Sequence, residues 1–180
     1  MSHKALIVID AQQSFRHSDY WSENDLPGYL EKQQALIDGC VQHGIPVIQV
    51  LHVEDHGHFS LASGHVRAFS ELSINPDLII HKRYHSAFAG TPLAARLTQM
   101  GVTTLIISGI RTEQCCETTT RHASDSGFSV DFVSEATLTF EMTHARSGRR
   151  YTPAEIRERT ELVLEHRFAR IVTVAQALQG

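Results

Sequence analysis

Asp10, Lys82 and Cys115 each follow a short apolar run, at 5–9, 78–80 and 103–107, and together they offer a carboxylate, an ammonium and a thiol. In an open parallel α/β sheet, ligands bind in the crevice at the carboxyl ends of the strands, so residues this far apart in sequence can meet at one rim. A thiol beside a proton acceptor and a cation can attack a carbonyl carbon. The strand expected at 103–108 leads through Gly109 to Cys115 and into a helical stretch ending near Ser126, which places Cys115 at or near a helix N-terminus. Free N–H groups and the positive end of the helix dipole would stabilise a thiolate there and could hold an oxyanion. Each residue also has an ordinary reading. Free cysteines are usually buried and inert, lysines are usually solvated, and an aspartate at a strand end can simply cap a turn. Cys116, about 100° further round the helix, reads as core, and so does Cys40 on an apolar stripe.

Six apolar, β-branched runs alternate with helical patterns: Lys4–Ile9, 46–51, 78–80, 103–108, 129–133 and 170–172. The alternation predicts a parallel sheet with helices on both faces. Leu30, Ile37, Cys40 and Val41 mark the first helix, stopped by Gly44 and Pro46. Thr91-Pro92 starts another, with Leu93, Leu97 and Met100 as its apolar stripe and Gly101 as its end. Thr152-Pro153-Ala154-Glu155 is a capping box for a helix to about His166, and a last helix starts near Thr173. Two stretches, 12–27 with Tyr20 and Trp21 and 54–73 next to His52, break this rhythm and are expected to wall a pocket.

The 180 residues, 42% of them hydrophobic and 20% charged, suit a single globular domain, 1–180. A net charge of −4 supplies no basic field for a polyanion, so a nucleic-acid partner is not expected. No apolar run approaches the roughly 20 residues of a membrane span. Met1-Ser2-His3-Lys4 runs straight into a strand without the look of a signal peptide, and three cysteines do not make a disulfide framework; free thiols in a cytoplasmic protein are expected.

Four segments, in order, resemble the isochorismatase-like cysteine hydrolases, the family of nicotinamidases, carbamoylsarcosine amidohydrolases and isochorismatases. Asp10-Ala11-Gln12-Gln13-Ser14-Phe15 is similar to its D-x-Q-x-x-F, and Lys82-Arg83-Tyr84-His85-Ser86-Ala87-Phe88 to its K-x-x-x-S-A-F. Gly109 to Cys115 is similar to G-x-x-T-x-x-C, and Glu135-Ala136 falls where Asp-Ala is usual. The resemblance implies a three-layer α-β-α Rossmann-like sandwich with a six-stranded parallel sheet and a catalytic triad of Asp10, Lys82 and Cys115. It also implies a cis peptide before Arg111, an oxyanion hole from the Arg111 and Cys115 backbone N–H groups, and a homodimer or larger homo-oligomer. Phe15, Trp21, His52 and Phe88 are the expected substrate contacts, and the substrate is a small molecule.

Nicotinamidases bind a metal through Asp-x-His and a later His-x-Ser. His52 and His58 match the histidines, but Val50 replaces the aspartate, and two histidines are usually too few for zinc. Glu54, Asp55 or His65 would have to compensate, so no metal and no cofactor are expected. Arg111 is larger than many residues found at its position, and faces an anionic substrate, solvent or a subunit interface; Arg146, Arg149 and Arg150 read as a solvated basic face. Hydrolysis of a C–N bond through a Cys115 thioester is the leading expectation. Vinyl-ether hydrolysis with Asp10 as acid, and noncatalytic ligand binding or thiol redox chemistry at Cys115 and Cys116, are its rivals.

Overall fold

The six apolar runs form one parallel sheet in the computed structural model, which describes residues 3–179. Met1 and Ser2, where a leader was expected to be absent, lie outside the described residues. The strands are β1 (Lys4–Ile9), β2 (Val47–His52), β3 (Leu78–Lys82), β4 (Thr104–Ile110), β5 (Ser129–Leu138) and β6 (Arg170–Ile171). Their spatial order is β3-β2-β1-β4-β5-β6, every pair parallel. The chain winds from β1 to one edge, crosses back, and lays β4 on the other side of β1. That reversal is the switch point at which open α/β sheets form their ligand crevice.

The sheet is covered on both sides because its strands are apolar on both sides. Along β1, Leu6 and Val8 enter one core while Ala5, Ile7 and Ile9 enter the other, all five fully buried. The first core is closed by α1 (Leu26–Gln42) and α5 (Val174–Leu178) through Leu36, Ile37, Cys40 and Ala177. The second is closed by α2 (Leu93–Gln99), α3 (Glu117–Asp125) and α4 (Pro153–Leu164) through Leu93, Leu97, Ala123 and Leu164. This is the expected three-layer α-β-α sandwich. No helix among the described residues is long and apolar enough to cross a membrane.

The differences from the expected elements lie at their ends. Val41 and Met100, placed on apolar stripes, are 59% and 37% exposed, because each sits at a helix terminus where the stripe has left the sheet. α2 starts at Leu93, one residue late, with the Thr91 hydroxyl accepting from the Leu93 N–H at 3.3 Å. The capping box at Thr152 and Glu155 forms, but α4 stops at Leu164, short of His166. A second box at Thr173 and Gln176 starts α5. A hairpin of Met142–Thr143 with Arg150–Tyr151 was not expected, since two-residue strands carry no periodicity to read.

Gly109 lets β1 and β4 close up beside the switch point. It pairs with Ile9 at φ +124°, and a Cβ there would run into the Ile9 carbonyl. Gly109→Ala combines a disfavoured backbone with a backbone clash and is expected to cost about 3 kcal/mol, read by urea unfolding. A loss below about 0.5 kcal/mol would mean that the two strands need no such approach.

Candidate active site

Asp10 leaves β1 in a left-handed conformation, φ +50°, which aspartate tolerates better than most residues. Its N–H stays bonded to the Val50 carbonyl at 2.8 Å, so the turn begins on the sheet itself. The carboxylate is fully buried, with Oδ2 2.8 Å from Lys82 Nζ. Lys82 reaches it from two strands away because β3 alternates, burying Ile80 and Lys82 while His81 faces out. The register pairs His52 with Lys82, aligning the ends of β2 and β3.

Lys82, only 1% exposed, is held on every side. Besides Asp10, its Nζ donates to the Tyr84 carbonyl at 3.0 Å and to Cys115 Sγ at 3.3 Å, and lies 3.2 Å from His52 Nδ1. Three hydrogen-bond partners and the paired carboxylate thus surround one ammonium. An ammonium cannot accept, so Nδ1 of His52 is the acceptor and its proton sits on Nε2, 3.4 Å from Glu54 Oε1. Burial, then the Lys82 charge, hold His52 below its ordinary pKa, against the pull of Asp10 and Glu54. Burial also opposes the Lys82 charge, but Asp10 and Cys115 outweigh it and hold that pKa above its usual value.

Cys115 lies in a π-helical turn, Thr112–Cys116, which runs into α3. Burial, then the Asp10 carboxylate, push its thiol well above the ordinary range despite Lys82. The helix-end dipole, expected to stabilise a thiolate here, is a small effect beside burial and a nearby full negative charge. Burial and the Asp10 charge both favour the protonated sulfur, and Asp10 is the acceptor at hand. Removing the Asp10 charge lowers the thiol pKa and leaves the thiolate as the anion paired with Lys82. Asp10→Asn is therefore expected to speed iodoacetamide alkylation of Cys115 several-fold at mildly alkaline pH while turnover falls. An unchanged rate would mean that the carboxylate does not govern the thiol.

The motif residues around these three anchor them. Thr112, fully buried, donates to Thr137 Oγ1 at 2.7 Å and ties the turn to β5. Ala87 N–H donates to Thr119 Oγ1 at 3.0 Å, and the Ser86 hydroxyl meets His122 Nδ1 at 2.9 Å, docking the segment after β3 on α3. Gln12 accepts from the His52 N–H at 2.7 Å and donates to the His52 carbonyl at 3.0 Å, holding the end of β2. The Ile110–Arg111 peptide is cis, and the Arg111 N–H makes no hydrogen bond among the described residues. The Arg111 side chain is largely buried: it pairs with Glu113 at 2.9 Å and lies over the ring of Tyr20 at 4.7 Å.

Of the expected substrate contacts, Phe15 and His52 lie on one wall, each set edge-on to Phe59, at 5.1 and 5.7 Å. Trp21 belongs to a separate aromatic group with Phe69 and Phe140, capped by Arg16. Phe88 packs into the second core against His122 and Phe128. His85 and Phe59, which are not among the expected contacts, also lie beside these residues. His85 Nδ1 is 3.8 Å from Cys115 Sγ, yet in sequence it is a spacer between Lys82 and Ser86. Phe59 sits in a loop whose fold cannot be read from periodicity. Cys40, Cys115 and Cys116 are all free and buried, and burial pushes Cys40 up to about 12. Cys116 is fully buried in the second core. Arg149 pairs with Glu155 and Arg150 with Glu141 on an exposed surface.

The nicotinamidase metal pattern does not assemble. Val50 is fully buried in the second core, and the His52 ring is engaged by Lys82 and Glu54. His58 stands instead with His17 and His65.

Comparison with known proteins shows the family of the chain. A family model described as the isochorismatase domain matches residues 4–176. The chain is 31% identical over 179 residues to YrdC of Bacillus subtilis, an uncharacterized isochorismatase family protein, covering 97% of this chain and 94% of that one. It is 32% identical over 152 residues to Nicotinamidase 3 of Arabidopsis thaliana, covering 76% and 73%. The crystal structure of an isochorismatase from Pseudomonas putida superposes with a TM-score of 0.88 at 26% identity, covering 97% of this chain and 89% of that one.

Proposed function

The chain belongs to the isochorismatase family and is on that ground a hydrolase, and we propose that it cleaves the C–N bond of a small amide or carbamoyl compound through a thioester at Cys115. The observation that carries this reading is Lys82 Nζ, 2.8 Å from Asp10 and 3.3 Å from the Cys115 sulfur, which holds carboxylate and nucleophile in one buried cluster. The likeness to a nicotinamidase supports the same bond type.

In this reading the Cys115 proton passes to Asp10 as Sγ bonds to the substrate carbonyl carbon. The carbonyl oxygen takes the negative charge and is met by the Arg111 and Cys115 N–H groups. The C–N bond then breaks as Asp10 returns the proton to the departing nitrogen, leaving a thioester. Water attacks the thioester carbon and gives a proton to Asp10; the C–S bond breaks, the acid leaves, and the proton goes back to sulfur. Lys82 stays an ammonium throughout and balances whichever of Asp10 and Cys115 is anionic. His85, at the thiol, stands where it can touch the leaving group.

Intact-protein mass spectrometry after brief incubation with a pool of primary amides, carbamoyl compounds and electrophilic aldehydes tests the nucleophile. A mass adduct in wild type that is absent in Cys115→Ser is the expected result, and its size identifies the acyl group. No adduct from any amide, with turnover of a vinyl ether instead, would replace this reading.

A further inference from the structure

Three imidazoles from the two loops beside the cleft converge outside the catalytic group. His17 ends the 3₁₀ turn Gln13–His17, His58 is in the turn Gly57–Phe59, and His65 follows Gly64. Each offers a ring nitrogen, and the three nitrogens lie within 4.8 Å of one another. The His17 ring lies against both others, with centroids 4.5 Å from His58 and 4.0 Å from His65. The backbone beneath them is already tied. Ser14 N–H donates to the His65 carbonyl at 3.1 Å and Gln13 N–H to the Arg67 carbonyl at 2.9 Å, while Gln12 bridges to Ala68. Ser63 Oγ donates to the His58 carbonyl at 3.0 Å and accepts from the His65 N–H at 3.1 Å.

We propose that His17, His58 and His65 bind one divalent transition-metal ion of the zinc class, which staples the loop after β1 to the loop after β2. The donor set selects the ion: three imidazoles suit zinc, nickel or copper, whereas calcium and magnesium need oxygen ligands, of which this group holds none. Three protein ligands leave a tetrahedral ion one position for water. Ligands about 2 Å from one zinc stand roughly 3.4 Å apart, so the rings must close and swing edge-on to the ion. His17 and His58 are exposed. This set uses neither position 50 nor His52. An ion there would not touch the triad; it would fix Phe15 and Phe59, whose rings meet edge-on next to two of the ligands.

The test is calorimetric titration of the chelator-treated full chain with Zn²⁺, alongside His17→Ala, His65→Ala and His52→Ala. One ion per wild-type chain, binding weakened at least tenfold in His17→Ala and His65→Ala, and binding retained in His52→Ala are expected. In wild type, Zn²⁺ should also shift the ring resonances of these three histidines in NMR spectra, a readout that needs no variant to fold. Absence of stoichiometric binding, or binding that survives His17→Ala and is lost in His52→Ala, would overturn the site.

Discussion

Cys115→Ala is expected to lower kcat/KM toward an amide substrate by about 10⁴-fold or more, with the fold intact, because it removes the atom that forms the covalent intermediate. The substitution deletes one small, buried group and introduces no charge, so the thermal midpoint should move by only a few degrees. Removing the thiol also relieves Lys82 of one of its four partners, and the Asp10–Lys82 pair remains. Loss of activity without loss of stability is the combination that separates a nucleophile from a packing cysteine. Cys116→Ala, in the same turn but fully buried in the second core, is the control: it should keep the activity and lose stability. Steady-state kinetics with the substrate found by mass adduct decide the point. Residual Cys115→Ala activity within tenfold of wild type would mean that the thiol is not the nucleophile, and Asp10 acid catalysis would take its place.

Lys82→Met should destabilise the protein by about 3–5 kcal/mol, since it leaves the fully buried Asp10 carboxylate without its cation. Against a total stability on the order of 5–15 kcal/mol, that loss should show as a steep fall in the urea midpoint and in soluble yield. Asp10→Asn placed on top of Lys82→Met removes the stranded charge. The double variant is expected to be more stable than Lys82→Met alone, with a coupling of about 1–3 kcal/mol in the mutant cycle. Additive losses would show that solvent reaches Asp10 and that the pair is not the keystone of the site. Both variants should be inactive, because Lys82 also holds the Cys115 sulfur and the His52 ring.

The six strands were legible because a strand buried on both faces must be apolar at every position, and such runs are short and sharply bounded. The Thr152 and Thr173 caps were legible in type or position for a similar reason, as a cap is a local device whose partners lie three residues apart. Asp10, Lys82 and Cys115 could be picked out because Asp10 directly follows β1, Lys82 ends β3, and Cys115 lies in the turn that follows β4. What the linear chain determined is therefore where backbone and apolar pattern act locally: strand positions, helix starts, and which polar residues reach the carboxyl rim.

Tertiary structure alone decided the rest. The side-chain alternation of β3, its register with β2 and the return of β4 beside β1 bring Lys82, His52 and Cys115 to Asp10; none of these is a property of any one segment. Protonation of the thiol was likewise undetermined in sequence, for it depends on burial and on a carboxylate 105 residues away, and electrostatic energy is set by distance through the fold. His85 at the sulfur and His17 between His58 and His65 arise the same way, from loops whose conformation is fixed by what they pack against.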